Sequence, residues 1–320
     1  MGLYVIRRIV QAAPLVLGML VLTFVLIHLA PGDPIYALAG QSGDAAYYAA
    51  MRAKFGLDRP LAEQLVLYLW NAARGDFGYS YTHSQPVFQV IADRVPATLL
   101  LMVSALVLAT TLGVWLGVIA VRQYQRVSDH AIVVGSLLGA ALPAFWLAQV
   151  LVIVFAGGLG WLPVQGMTTA RSNATGLAYA LDVARHLILP VGALTVLQLT
   201  LVTRLTRAGM MEALGEEYVR TARAKGIAEQ RLLARHVLPN ALLPVVTLVG
   251  SHFGTLLTGA VLTEIIFAWP GLGRLLYDAT LARDYPLLMG IFLMAAVSVI
   301  LANLVTDLAY GLLDPRVRLG

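Results

Sequence analysis

Six apolar runs separated by polar or turn-rich sequence organise this chain: Ile9–Ala30, Ala97–Val121, Ala131–Ala156, Leu187–Thr203, Ala241–Thr263 and Leu287–Leu313. Each has the roughly 17–25 residues, or slightly more, that carry a helix across about 30 Å of hydrocarbon. They predict six transmembrane helices in an all-α, polytopic membrane protein. The fourth run is the shortest. Pro14, Pro143, Pro190 and Pro244 fall inside the runs or near their ends. Neighbouring helices and waters re-satisfy the carbonyls that proline frees, so these residues do not break the assignment. The first run follows Arg7 and Arg8 in the manner of a signal peptide. It has 22 residues and no small-residue cleavage pattern, which reads as a retained span.

Two polar stretches between the runs have patterns of their own. In the first, Pro31 to Pro96, Asp58 is the expected N-cap of a helix with Pro60 just inside. Leu61, Leu65, Tyr68 and Leu69 share one face, and Gly75 ends it. A small helical cap is expected there. The second, 204–240, crowds seven Arg/Lys and four Glu between apolar runs. Met210, Met211, Leu214, Tyr218 and Ala222 recur at helical spacing in it. Arg223 and Lys225 stand where last-turn cations belong, and Gly226 suits a left-handed C′ position. A second short helix fits Ala228 to Val237, with Arg231 and Arg235 one turn apart. Pro239 is expected to stop it, with Leu238 pushed towards extended geometry. The chain thus divides into 1–96, a helix plus cap, and 97–320, five helices carrying the 204–240 loop.

Charge fixes the expected orientation. Only 12% of residues are charged and 59% are hydrophobic, against about 25% charged in soluble domains; mean hydropathy is +0.79. With the N-terminus inside, the inner segments hold 13 Arg/Lys in 61 positions. The outer loops hold 9 in 119, or 4 in 53 without the long first loop. Both termini and the charged arm are therefore expected in the cytoplasm. The net charge of +5 has this topological source, and no aromatics interleave with the cations as nucleic-acid binding would need. The absence of cysteine excludes disulfides and thiolate chemistry. No H-E-x-x-H, G-x-S-x-G or phosphate-loop motif occurs, so neither a metal site, a catalytic residue nor an ATPase is expected in this chain.

The charged arm admits two readings. A solvated loop that only sets topology needs cations but no structured elbow. A docking arm needs a rigid elbow of mixed charge, and its glutamates suit a protein groove better than anionic lipid. At "YVRTARAKG", Tyr218 to Gly226, the sequence resembles the cytoplasmic coupling loop of ABC-importer permeases, E-A-A–x3–G–x9–I–x–L-P. Gly226, Leu238 and Pro239 keep the spacing, while Arg220, Thr221 and Ala222 replace E-A-A and His236 replaces I. "APGDP" at Ala30–Pro34, "GDFGYS" at Gly75–Ser80, "LPAFW" at Leu142–Trp146 and "LTEIIFAWPGLGRLL…RDYP" at Leu262–Pro286 are similar to the dipeptide/oligopeptide/nickel branch.

The resemblance implies a type I ABC importer-like fold and half of a translocation pathway in a bacterial or archaeal cytoplasmic membrane. It implies a second homologous permease, two cytoplasmic ATP-binding subunits that hold ATP and Mg, and an extracytoplasmic substrate-binding protein. The arm from Glu212 to Pro239 would couple to the ATPases through Arg220, Thr221, Ala222, Arg223, Ala224, Lys225, Gly226, Leu238 and Pro239. Di- and oligopeptides are the implied cargo, with nickel chelates, glutathione and oligosaccharides as alternatives.

Polar residues inside apolar runs are costly and carry the remaining expectations. Ser251, His252 and Asn303 are candidates for the substrate pathway, set against interhelical hydrogen bonding, which is also the expectation for Gln149 and Gln198. Asp307 is expected to find a structural partner, His28 to pack at the interface, and Arg283 and Asp284 to be structural. Glu264, Pro270 and Gly271 are expected in an outer gate or a structural hairpin. A secondary transporter would need intramembrane carboxylates and internal repeats, and only Asp307 is in place for that. An intramembrane acid–base pair of His252 and Glu264 would be about 18 Å apart on a continuous helix.

Overall fold

The computed structural model describes residues 2–29, 44–255 and 260–313. "APGDP" and part of the fifth predicted span lie outside them. Two compact units are present. One contains residues 1–98, 257–261 and 270–320, the other 99–256 and 262–269.

In the first unit, α1 (Gly2–Leu29) packs along α13 (Tyr285–Leu313). The cap contributes α2 (Ala45–Phe55) and α3 (Leu61–Ala73). Asp44 caps α2 by accepting the Tyr47 N–H at 2.7 Å, and Gly56 ends it at φ +67°. The expected Asp58 cap is not formed. Pro60 holds the cap position of α3 without a side-chain bond, because its fixed φ already directs the chain into the helix. Leu65 and Tyr68 of α3 pack against a core of Phe24, Val87, Ile91, Leu275 and Leu287, whereas Leu61 is exposed. The N-terminal end of α4 (Val87–Arg122) and α12 (Leu272–Ala282) complete this unit.

The second unit is built on α7 (Gly176–Gly215), 40 residues and about 60 Å long, twice the hydrocarbon thickness. It contacts α5 (Val127–Ala141), α6 (Ala144–Leu151) and α10 (Leu243–Thr255). The C-terminal part of α4 approaches it closely. A Cβ on Gly113 would lie 2.7 Å from Val202 Cβ, and one on Gly117 would lie 2.6 Å from Thr206 Cβ.

The six predicted spans are only partly reproduced. Among the described residues, three helices are long and apolar enough to cross a membrane: Val87–Arg122, Gly176–Gly215 and Tyr285–Leu304. There are five if each of two bent pairs is one span, and α1 adds the shorter apolar helix Ala13–Leu26. The third run bends by 99° between Val127–Gly139 and Ala144–Gly158. Leu142 before Pro143 is extended (φ −83°, ψ 129°), as a pre-proline residue prefers. The fourth run is the middle of a longer helix: α7 continues unbroken through Arg204 to Gly215 and takes in Met210, Met211 and Leu214 of the expected arm helix.

Candidate functional site

The charged arm begins as the end of α7, which stops at Gly215. A second helix, α8 (Glu217–Ala224), closes on Gly226 at φ +75°. The Gly226 N–H donates to Arg223 O at 2.9 Å, and the Ile227 N–H donates to Ala222 O at 3.3 Å. Those two bonds make a Schellman stop, and Ile227 packs back onto the cluster that contains Ala222. The glycine corner is therefore a defined turn.

The chain then runs through α9 (Glu229–Leu232), a π-turn at Leu233–Val237 and a last helical turn at Leu238–Ala241. Leu238 is helical (φ −59°, ψ −45°), which corrects the expected extended exit. The wide π-turn lets Pro239 occupy the first turn of the next segment, where its missing N–H loses no bond. Pro239 thus starts a helix and does not stop one.

What stiffens the elbow lies underneath it. Val121, Met210, Val219, Ala222, Leu232 and Val237 are buried together. The two legs meet at Gly209, where a Cβ would sit 2.8 Å from Ala241 O. Across the legs, Asn240 Nδ2 donates to Tyr218 Oη at 3.2 Å. Arg223 does not point free into solvent. Its guanidinium donates to both Glu229 oxygens, at 2.8 and 3.3 Å, so it braces one side of the corner against the other. That carboxylate holds the Arg223 pKa above its ordinary value. Arg220, Thr221, Ala224, Lys225, Gly226, Arg231, Arg235 and Pro239 are exposed, whereas Ala222 faces the core and Leu238 is half-buried.

At the base of the arm, Arg207 Nε and Nη2 donate to Asp129 Oδ1 and Oδ2 at 2.8 and 3.0 Å, with Asp129 almost fully buried. This clamp ties the start of α5 to α7 and is absent from the sequence reading. Its signal was available: a carboxylate just before the third apolar run and an arginine just past the fourth.

The "EIIFAWPGLG" stretch is two structures. In the second unit, α11 (Val261–Ile266) carries Glu264, fully buried, and ends in another Schellman stop. There Trp269 N–H donates to Glu264 O at 2.8 Å and Ala268 N–H to Ile265 O at 3.1 Å, with Ala268 at φ +47°. The Gly166 N–H donates to Phe267 O at 2.7 Å, holding the loop before α7. Pro270 and Gly271 belong to the first unit. Gly271 is the N-cap of α12, and the Leu272 N–H donates to the buried Thr98 Oγ1 at 2.7 Å.

Two of the quoted motifs converge in the first unit. Asp284 of "RDYP" is buried and accepts from Ser80 Oγ (2.6 Å), Thr82 N (3.0 Å) and Thr82 Oγ1 (2.8 Å), next to "GDFGYS". It also accepts the Leu287 N–H at 3.3 Å, at the start of α13. Gly78 sits at φ +74°. Asp284 therefore has the structural role expected of it.

Ser251 and His252 lie on α10 and Asn303 on α13, in different units; His252 is half-buried and Asn303 exposed. The side chains of Ser251 and Asp307 are outside the described set. Gln149 is exposed, and Gln198 Oε1 is buried without a partner among the described residues. No group of three or more metal-ligating side chains occurs among the described residues.

The described residues form a helical membrane chain with a braced, cationic elbow, and likeness to a known family gives its class, a transporter membrane subunit. Residues 109–319 match the family described as binding-protein-dependent transport system inner membrane component, and residues 1–102 match the N-terminal component of such membrane proteins. The chain belongs to this family of inner-membrane, multi-pass permeases. It is 39% identical to the dipeptide transport system permease protein DppB of Escherichia coli strain K12 and 41% identical to the di/tripeptide transport system permease protein DppB of Pseudomonas aeruginosa. Both alignments cover 98% of either chain. The oligopeptide transport system permease protein AppB of Bacillus subtilis is 38% identical over 99% of this chain and 100% of that one. The MetNI methionine ABC transporter in an inward-facing conformation shares the fold, with a TM-score of 0.55 at 14% identity over 71% of this chain and 97% of the other.

Proposed function

We propose that this chain is one of two permease halves in an ATP-driven importer of di- and oligopeptides. The stiff arm is the observation that carries this reading: a buried core, a Schellman stop at Gly226, two ion-pair restraints and an exposed cationic face on one short elbow. A rigid lever transmits motion that a mobile loop would dissipate. The near-full-length similarity to dipeptide and oligopeptide permeases supports the cargo class.

In this reading Arg220, Thr221, Ala224, Lys225, Gly226 and Pro239 meet a cleft of a cytoplasmic ATP-binding subunit. Ala222, Arg223 and Leu238 hold the elbow's shape. ATP and Mg bind two such subunits, whose closure moves α7 and α10 through the arm. A second, homologous permease completes the pathway, and an extracytoplasmic binding protein delivers the peptide. Both termini face the cytoplasm. Ser251, His252 and Asn303 line the pathway, while Glu264, Pro270 and Gly271 hold the outer closure.

Gly226→Val forces a β-branched residue to φ +75°, and Arg223→Glu sets two carboxylates against each other at the corner. Each is expected to lower peptide uptake at least about tenfold, with membrane insertion and assembly preserved. Uptake by radiolabelled dipeptide in cells, with permease abundance measured alongside, checks this. Undiminished uptake in both variants would remove the coupling role.

A further inference from the structure

The first unit holds a cavity of about 180 Å³ that the coupling arm does not explain. His83, Arg94, Gly271, Arg274, Leu275 and Asp278 line it, so four of its six lining residues are ionisable. The space is smaller than the roughly 300–1,000 Å³ of small-molecule pockets, which leaves room for one compact group and not for a peptide. If round it is about 7 Å across, so cations on facing walls reach the oxygens of a single oxyanion at about 3 Å.

The charged groups open onto this space. His83 and Asp278 are exposed, and Arg94 and Arg274 are half-buried. Among the described residues Arg94 has no hydrogen-bond or ion-pair partner, and none of its nitrogens is buried. Arg274 Nε stands 3.9 Å from Asp278 Oδ2, beyond hydrogen-bond range, and a surface pair of that kind is weak. Two guanidinium groups against one carboxylate leave the walls net positive. His83 is aimed by its neighbours. Ser80 Oγ and Thr82 Oγ1 each spend their hydrogen on Asp284, at 2.6 and 2.8 Å. Both oxygens are then acceptors towards His83 Nδ1, at 3.1 and 3.0 Å, and that nitrogen carries a hydrogen. Nε2 is left at the other end of the ring, where the charged form donates to an anion.

The place in the fold selects the anion. Arg94 stands in α4 three residues before Ala97, where the apolar run begins. Three residues are about 4.5 Å of helix, within the roughly 5–7 Å of headgroup layer that flanks the hydrocarbon on each side. On α12, Tyr277 and Leu281 are exposed one turn apart, on the face that also carries Arg274 and Asp278. Phe88, near the start of α4, is 68% exposed. Aromatic and apolar side chains around a cationic hollow suit an amphiphile with an anionic head better than a free anion. We infer that this cavity binds the phosphate of a phospholipid headgroup, with Arg94 and Arg274 as donors and Tyr277 and Leu281 against the acyl chains. Free phosphate offers the same oxygens without the chains.

The test uses the assembled transporter, purified in detergent and stripped of bound lipid. The probe is dioctanoyl-phosphatidylglycerol, and native mass spectrometry counts what is bound. Saturable binding to the wild type is expected. Dioctanoylglycerol keeps the chains without the phosphate and should bind at least about tenfold more weakly. Arg94→Gln should weaken binding of the phospholipid about tenfold, the worth of one charge-assisted hydrogen bond. Its lipid-free thermal midpoint should match the wild type, because the guanidinium has no protein partner to lose. Asp278→Asn removes the competing carboxylate and should tighten binding about threefold. Arg59→Gln, a cation of the same unit outside the cavity, should leave binding unchanged. Equal affinity for the two probes, equal affinity in Arg94→Gln, or weaker binding in Asp278→Asn overturns the inference. A lowered lipid-free midpoint in Arg94→Gln gives that arginine a structural role and overturns it too. Inorganic phosphate, added at the half-saturating concentration of the lipid, decides the source. Retention of the lipid supports the headgroup, and its displacement assigns the hollow to free phosphate instead.

Discussion

Ala268 is the residue at which local preference and tertiary need disagree most plainly. It holds φ +47° at the C′ position of a Schellman stop, where glycine is the unstrained choice. The geometry is kept because Trp269 and Phe267 on either side are buried and the Phe267 carbonyl is bonded to Gly166. Ala268→Gly is expected to relieve about 1 kcal/mol of backbone strain and raise the thermal midpoint of the solubilised protein by about 2 °C. A thermal-shift series that includes Ala268→Val, expected to move the opposite way, checks the sign. Gly226 is the converse case. There the left-handed position was legible in the sequence, because a glycine follows a helical pattern with last-turn cations. Arg223 was legible only as a cation. That it reaches Glu229 depends on the corner folding back, which no periodicity encodes.

At the scale of elements, the arm is held at its root by Asp129 and Arg207, one from each of two helices far apart in sequence. Removing one partner of a mostly buried ion pair strands the other charge. Asp129→Asn and Arg207→Met are each expected to destabilise by about 3 kcal/mol, the low end of the range because Arg207 is partly exposed. The double variant Asp129→Leu with Arg207→Met should recover most of that loss. Hydrogen exchange through Glu217–Ala224 gives the readout: faster in the single variants and near wild type in the double, since the arm's core is otherwise intact. Helix limits were less legible than helix existence. Apolar length marks where hydrocarbon ends, but α7 runs on past it because Met210 and Ala213 find a core beyond the membrane stretch. The third run bends because Leu142 precedes a proline, a local signal outweighed in the sequence reading by the continuous apolarity around it.

For the whole molecule, the orientation proposed from charge asymmetry is open to direct measurement. The chain has no cysteine, so a single introduced thiol reports its own side of the membrane. In intact spheroplasts, a membrane-impermeant maleimide should label Trp70→Cys, an exposed site on the cap. It should label Arg235→Cys on the arm only after the membrane is opened. Labelling of Arg235→Cys in closed spheroplasts would invert the topology and take the coupling proposal with it. The family and its long apolar helices place the chain in the membrane whichever way this falls.

Sequence alone determined the solvent in which this protein folds, because hydrocarbon demands long apolar runs and internally satisfied backbone, and both are written residue by residue. It also determined the glycine corner and the family to which the arm belongs. Tertiary structure decided what the polar residues do. Asp284 reaches Ser80 and Thr82 across about two hundred positions, Asp129 reaches Arg207, and His83, Arg94 and Arg274 come to line one cavity. A carboxylate, a ring nitrogen or a guanidinium acquires its role from what stands within about 3 Å of it, and that distance is set by packing between segments whose order in the chain carries no record of it.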